Sequence, residues 1–241
     1  IDNQGTIINS GLKRYTIRLN LDSKVKNWLR VGGNITGGIT NEDITVNQSF
    51  SGLIANTLLQ APDIPVRNTD GTFAGPPSSE QSVTYYNPVA EALTRENKLI
   101  RKNFLGNVYA EVDIFKGLKY NFTGAIRYVR SKQEHEIHEN SNMANAYRAA
   151  GNSTIRENNP YLYKDPSDPS AEPIVVLSKG GFYNTAENLL LNYDIRNSVS
   201  FSKIWNEKHE FNALLGQQIK YSDRQTNSNT GYGFQYDMGG T

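Results

Sequence analysis

Read at period two, residues 11–22 place Tyr15, Ile17, Leu19 and Leu21 on one side and Arg14, Thr16, Arg18 and Asn20 on the other. That alternation marks a β-strand with one apolar and one wet face. It recurs five more times, always in pairs. In the first pair, 11–22 is followed by 28–39, where Leu29, Val31, Gly33 and Ile35 alternate with Arg30, Gly32, Asn34 and Thr36. The second pair is 98–114 with 118–133. Its outgoing strand sets Phe104, Val108, Ala110, Val112 and Ile114 against Asn103, Asn107, Tyr109, Glu111 and Asp113. The return sets Leu118, Tyr120, Phe122, Ile126 and Tyr128 against Lys119, Asn121, Thr123 and Arg127. The third pair, 187–203 with 209–222, sets Leu189, Leu191, Tyr193, Ile195, Val199 and Phe201 against Asn192, Asp194, Arg196 and Ser198, then Phe211, Ala213, Leu215, Ile219 and Tyr221 against Glu210, Asn212, Gln218 and Lys220.

Within each pair the connection is short: 23–27, Lys116-Gly117 and 204–208. Between pairs it is long, about 40–95 and 134–186, and the polar, Gly-rich tail 224–241 reads as a further loop, as does the start, 1–10. Short turns on one side and long loops on the other are the asymmetry of an outer-membrane barrel. Trp28 and Trp205 both fall beside short turns, where an interfacial aromatic belt sits. Strands of 12 to 17 residues also exceed the usual globular length of about 5–6, which argues against a soluble β-sandwich. The expected class is therefore all-β: an antiparallel up-and-down transmembrane β-barrel segment of about six long strands with long extracellular loops. Inside the first loop, 50–60 reads as a short helix stopped before Pro62. Asn68-Thr69-Asp70-Gly71 reads as a tight hairpin tip and 75–79 as irregular. In the second loop, Ile174-Val175-Val176-Leu177 predicts a short strand.

Composition fits a wall with a wet side. Only 37% of the 241 residues are hydrophobic while 14 are Tyr, low apolar content for a closed sandwich core. The net charge of +1, with both signs mixed along the chain, leaves no footprint for nucleic acid. Without cysteine there is no disulfide framework, thiolate metal site or Cys nucleophile. No run of about 18 apolar residues offers a spanning helix, but a spanning strand needs only about 9–11 residues. The chain opens on Ile1-Asp2-Asn3-Gln4 with neither initiator Met nor signal peptide, as expected of a mature or fragmentary chain.

Catalytic motifs are few. His135-Glu136-Ile137-His138-Glu139 superficially suggests a zinc helix, but its two His stand three apart instead of four and fall at the loop end of a strand. His209 has no neighbouring partner in sequence, and Asp165 and Asp168 lack the ligand spacing of an EF-hand loop. There is no nucleophile elbow, P-loop or dinucleotide fingerprint. No enzyme activity and no cofactor are implied.

The run Gln4-Gly5-Thr6-Ile7-Ile8 through Leu12–Val25, then Trp28-Leu29-Arg30-Val31-Gly32, resembles the segment just after the plug in SusC/RagA-type TonB-dependent transporters of Bacteroidota. Pro62–Val66, Asn68–Thr72, Asn87–Ala90, Phe104–Glu111 and Lys116–Lys119 are similar, in order and spacing, to successive early barrel segments of that family. The resemblance implies that 1–241 is part of one receptor β-barrel domain of roughly 22 strands, with the plug, the TonB box and the remaining strands absent from this chain. It further implies import of an oligosaccharide or peptide across the outer membrane of a Gram-negative bacterium, with TonB, outer-membrane lipid and a SusD-like lipoprotein as partners. An open six-stranded sheet leaves two unpaired edges, which points the same way, to a longer polypeptide.

On this reading, Arg14, Arg18, Arg30, Asn103, Asn107, Glu111, Arg127, Asp194 and Arg196 are the lumen-facing candidates for contact with a plug or a hydrophilic solute. Tyr85, Tyr86, Tyr147, Tyr161, Tyr163, Phe182 and Tyr183 are loop aromatics suited to sugar stacking, to a lid protein, or simply to packing the loops. Two other readings stay open: a TonB-dependent receptor for a siderophore or cobalamin, and a secreted carbohydrate-binding or adhesive β-domain.

Overall fold

The computed structural model describes residues 1–44, 57–58, 64–74, 87–206 and 208–240. One antiparallel sheet runs in strict sequence order through β1 (Asp2–Gln4), β2 (Gly11–Lys26), β3 (Leu29–Asp43), β4 (Arg95–Phe115), β5 (Leu118–Ile137), β6 (Gly181–Trp205) and β7 (His209–Phe234). Short helices occupy the connections: α1 (Pro88–Leu93), α2 (Asn142–Arg148) and α3 (Ser153–Asn158). The six long strands are those the alternation marks, in three hairpins. A seventh, β1, lies in what reads from sequence as loop, because its three residues pair with Gly11–Lys13 although they are too few to show a period.

The register carries each face across the whole sheet. One rung runs Leu21, Gly33, Val108, Gly124, Ile195, Ile219. The rung one residue along runs Asn20, Asn34, Asn107, Ala125, Asp194, Lys220. An apolar face and a polar face thus persist over six strands. Among the described residues nothing is packed on the apolar face: Ile17 is 72% and Leu215 76% exposed. Along β4 it extends from Phe104 to Ile114, eleven residues, which matches the crossing length of a tilted barrel strand. Tyr15, Phe104, Tyr128, Tyr193 and Tyr221 border it on the loop side, stepping down the rungs from β2 to β7 as tilted strands require. Trp28, Phe115, Trp205 and Phe211 border it on the turn side, and Trp28 and Trp205 are exposed there.

All of the long strands except β2 run further toward the loops than the alternation indicates, β7 by twelve residues beyond 222. At the turn end β2 continues to Lys26, with a bulge between Lys24 and Lys26, so the turn shrinks to Asn27 and Trp28. The Lys116-Gly117 turn is as expected, with Gly117 at φ +97, and a Cβ there would lie 2.4 Å from the Ser202 carbonyl. Gly71, at φ +85, closes the 68–72 tip, where Asn68 N–H donates to the Thr72 carbonyl. Ile174–Leu177 forms no strand: one bridge joins Ile174 to Tyr163, and Leu177 turns into a buried cluster instead. The helix expected over 50–60 lies outside the described residues, apart from Thr57 and Leu58, which are helical. The irregular segment 75–79 lies outside them as well.

Candidate functional site

Strand parity places Arg14, Arg18, Arg30, Asn103, Asn107, Glu111, Arg127, Asp194 and Arg196 together on the polar face. That face divides by height. Toward the turns several of its charges satisfy one another. Arg30 Nη2 donates to Asp22 at 2.9 Å and Arg30 Nη1 faces Glu111 at 3.7 Å, while the Tyr109 hydroxyl also donates to Asp22. Tyr109 reaches Asp22 by lying across Gly32, where an added Cβ would stand 2.5 Å from the ring. Asn107 donates to Asn34 at 2.8 Å, and Asp194 accepts from Arg196 at 3.0 Å and from Gln218 at 2.8 Å.

Toward the loops the face turns cationic. Arg14, Arg18, Arg101, Arg127 and Arg224 are all exposed there. Arg14 donates to Thr40 and Arg101 stands 3.9 Å from Glu42. Among the described residues Arg18, Arg127 and Arg224 have no ion-pair partner. Arg101 and Arg224 are missing from the sequence candidates, although each continues the parity of its strand. An array of exposed guanidinium groups is suited to carboxylate, sulfate or phosphate oxygens.

Above the arginines the 138–180 connection folds back over the polar face. Ile137 and Phe182, register partners on that face, are each 1% exposed and close a small core with Ala144 and Leu177. Tyr147 meets Phe182 edge-on at 4.8 Å and stacks on Tyr161 at 4.4 Å, and Phe182 meets Tyr232 at 5.4 Å. Phe182 is therefore packing, not a contact surface. Tyr183 is on the opposite face, its hydroxyl donating to Glu134 at 2.5 Å. Tyr161 and Tyr163 are exposed, and Tyr85 and Tyr86 lie outside the described residues.

Buried polar groups fasten this cover. Asn159 Nδ2 donates to the Ala146 and Ala149 carbonyls and its Oδ1 accepts from Tyr161 N–H, while Ser141 caps α2 by accepting from Ala144 N–H. Arg148 donates to the carbonyls of Glu139 and Gly180, tying the two ends of the connection together. His135 lies on the polar face of β5 with its Nε2 unpartnered, and His138 stacks on Tyr236 at 4.4 Å, so the two rings are engaged separately. The Tyr236 hydroxyl donates to the Phe182 carbonyl at 2.6 Å, and burial pushes its pKa up to about 12.

Glu139 joins this cover to the end of β7. Its carboxylate accepts from Tyr236 N–H at 3.2 Å and from Asp237 N–H at 3.0 Å. Burial opposes its charge, but its own backbone N–H, together with those of Asp237 and Tyr236, outweighs burial and holds the pKa below the ordinary carboxylate value. A depressed folded pKa means that the unfolded segment binds the proton more readily, so its stabilisation is full above the ordinary Glu pKa and fades as pH falls through the folded one. Amide protection factors at 235–240, corrected for the intrinsic pH dependence of exchange, are expected to fall on acidification across that window in the full-length protein. Glu139→Gln should remove the pH dependence; equal acid sensitivity in both proteins would refute the assignment.

No protein-family profile matches the chain. Among curated proteins it is similar to TonB-dependent receptor P3 of Formosa agariphila, 29% identical over 125 residues, 49% of this chain and 12% of that protein. TonB-dependent receptor P26 of the same organism is 27% identical over 110 residues, 45% of this chain and 10% of that protein. The chain thus spans about a tenth of each relative. Among solved structures, the RagAB peptide importer in its open-open state superposes with a TM-score of 0.61 at 18% identity, over 95% of this chain and 22% of that one. Its closed-closed state gives 0.55 at 19% identity, over 96% and 23%. The chain is thus similar to TonB-dependent receptors in sequence and to the RagAB importer in fold. Its own fold is an all-β, up-and-down antiparallel sheet, left open among the described residues because β7 does not pair with β1.

Proposed function

We propose that this chain is part of an outer-membrane, TonB-dependent importer of a Gram-negative bacterium of the Bacteroidota, taking up a peptide or an oligosaccharide through a plugged barrel beneath a SusD-like surface lipoprotein. The observation that carries the reading is the exposed apolar face, register-matched over six strands, interrupted at the rung that holds Ser23, Asn197 and Gln217 and bordered on both sides by aromatic rows, opposite a polar face crowded with charge. Water disfavours so large an exposed apolar surface and lipid favours it. The similarity to TonB-dependent receptors and to a peptide importer supports transport over catalysis. Arg14, Arg18, Arg127 and their neighbours then line the lumen, where they meet a plug or passing solute, and Tyr161 and Tyr163 face the outer mouth.

The test uses the full-length protein in a strain deleted for it. Ile195→Arg puts a charge at mid-height of the apolar face, at a cost of about 2–4 kcal/mol in a bilayer, and is expected to lower the amount assembled in the outer membrane several-fold. Ser222→Arg, on the polar face, should assemble normally. Growth of the complemented strain on peptides, glycans or iron chelates as limiting nutrient then assigns the cargo. Recovery of the wild-type protein in a detergent-free soluble fraction would reject the reading.

A further inference from the structure

At the loop end of the sheet the outward, apolar-side parity turns from apolar to charged. Immediately beyond Phe104 and Tyr128 come Lys102 and Arg130, directly paired across β4 and β5. The next rung up carries Lys13, Lys132 and Glu187. Asp43, Lys98 and Glu134 follow, then Glu96 and Glu136, while on β7 Asp223 stands on the Phe104–Tyr128 rung. On β4 and β5 the charges closest to the apolar band are therefore both cations. Lys132 pairs with Glu134 at 2.7 Å and Arg130 with Glu187 at 3.1 Å, leaving the Arg130 side chain 52% exposed. Lys102 is exposed and has no ion-pair partner among the described residues.

We propose that Lys102 and Arg130 form a binding site for the phosphate of a phosphorylated glycolipid in the outer leaflet. The proposal rests on the membrane reading above. A headgroup phosphate lies where the hydrocarbon layer ends, which on this wall is the rung just past the upper aromatic row. Two adjacent cations on one rung, on strands about 4.8 Å apart, straddle a single phosphate. Their aliphatic stems lie along the band while the heads rise to the headgroup layer. The apolar side chains below, Phe104, Tyr128 and Ile126, supply the surface for the acyl chains. A free anion has no use for that surface, so the arrangement favours a lipid over dissolved phosphate.

The experiment uses the full-length, detergent-purified protein and a titration with phosphorylated lipid A, read as retained lipid by native mass spectrometry. Lys102→Glu with Arg130→Glu is expected to weaken retention about 30-fold or more, from the loss of two surface cations. Arg18→Glu with Arg127→Glu, on the polar face, should retain lipid as the wild type does. Dephosphorylated lipid A should bind all three proteins equally weakly. Equal retention by wild type and the Lys102/Arg130 variant, or equal binding of phosphorylated and dephosphorylated lipid, would overturn the site. Displacement of the lipid by inorganic phosphate at similar concentration would overturn the lipid assignment. Outer-membrane fractionation of each protein separates these failures from failure of the barrel reading, which would remove even the wild type from the membrane.

Discussion

Phe182→Ala is expected to release the cover formed by 138–180 while leaving the six-stranded wall in place. Phe182 is 1% exposed and is the largest of the four residues that close the small core with Ile137, Ala144 and Leu177. Truncating a buried Phe to Ala costs about 3–5 kcal/mol through lost transfer energy and the cavity left behind. A cover this small has little else to draw on. Its remaining apolar contacts are the partly buried Met143 and Tyr147, and Tyr147 is itself held by Phe182 and Tyr161. The hydrogen bond from Tyr236 to the Phe182 carbonyl survives the substitution, but without the ring the α2 segment loses the largest part of its apolar seat. Hydrogen exchange on the full-length protein in detergent should show 141–180 losing protection, whereas 104–114 and 118–128, held by ladder hydrogen bonds, keep theirs. Retained protection at 141–180 would show that the polar fasteners alone hold the cover.

Glu91→Ala is expected to have an effect of similar size at the neighbouring connection. Glu91 and Arg95 form the one ion pair among those described with both side chains under a tenth exposed, 7% and 8%, at 2.8 Å. The second carboxylate oxygen of Glu91 accepts Asn142 N–H at 3.0 Å, so one side chain joins α1, the start of β4 and the start of α2. Removing it strands the Arg95 guanidinium in a buried site. Breaking a buried pair from one side costs about 3–5 kcal/mol, whereas replacing both partners by apolar residues is often neutral or stabilising. Glu91→Ala should therefore raise exchange at 88–94 and 142–148 strongly, and Glu91→Met with Arg95→Met should largely restore it. If the double variant is as exposed as the single one, the Asn142 hydrogen bond, not the ion pair, is the fastening. Asn87 adds to the same junction by accepting from Val89 and Ala90 N–H and donating to the Val66 and Ala74 carbonyls.

Three hairpins, their two faces and the side on which the long loops fall are all legible in the alternation, because across the apolar band each strand has one solvent-like environment per side. Arg14, Arg18, Arg127, Asp194 and Arg196 follow from parity alone. The pattern fails where the environment changes. Beyond the aromatic row the phase inverts: Ile137 and Phe182 are apolar on the otherwise polar face, because the 138–180 cover buries them, and Lys132, Glu134 and Glu136 are charged on the otherwise apolar face. A period-two reading meets that inversion as the end of a strand, which is why β5, β6 and β7 come out short and Phe182 is taken for a loop aromatic.

By itself the sequence determined the wall: strand order, hairpin turns and the assignment of each side chain to one face, since these depend on local alternation and turn chemistry. Only the tertiary structure decided which charges neutralise one another, that Tyr109 lies over Gly32 to reach Asp22, and that Glu91 and Arg95 are buried together. It also decided that a 43-residue connection folds onto the polar face. Those outcomes depend on register across strands and on contacts between distant segments, Asp22 with Tyr109 at 87 residues' separation and Glu139 with Asp237 at 98, which no local pattern encodes.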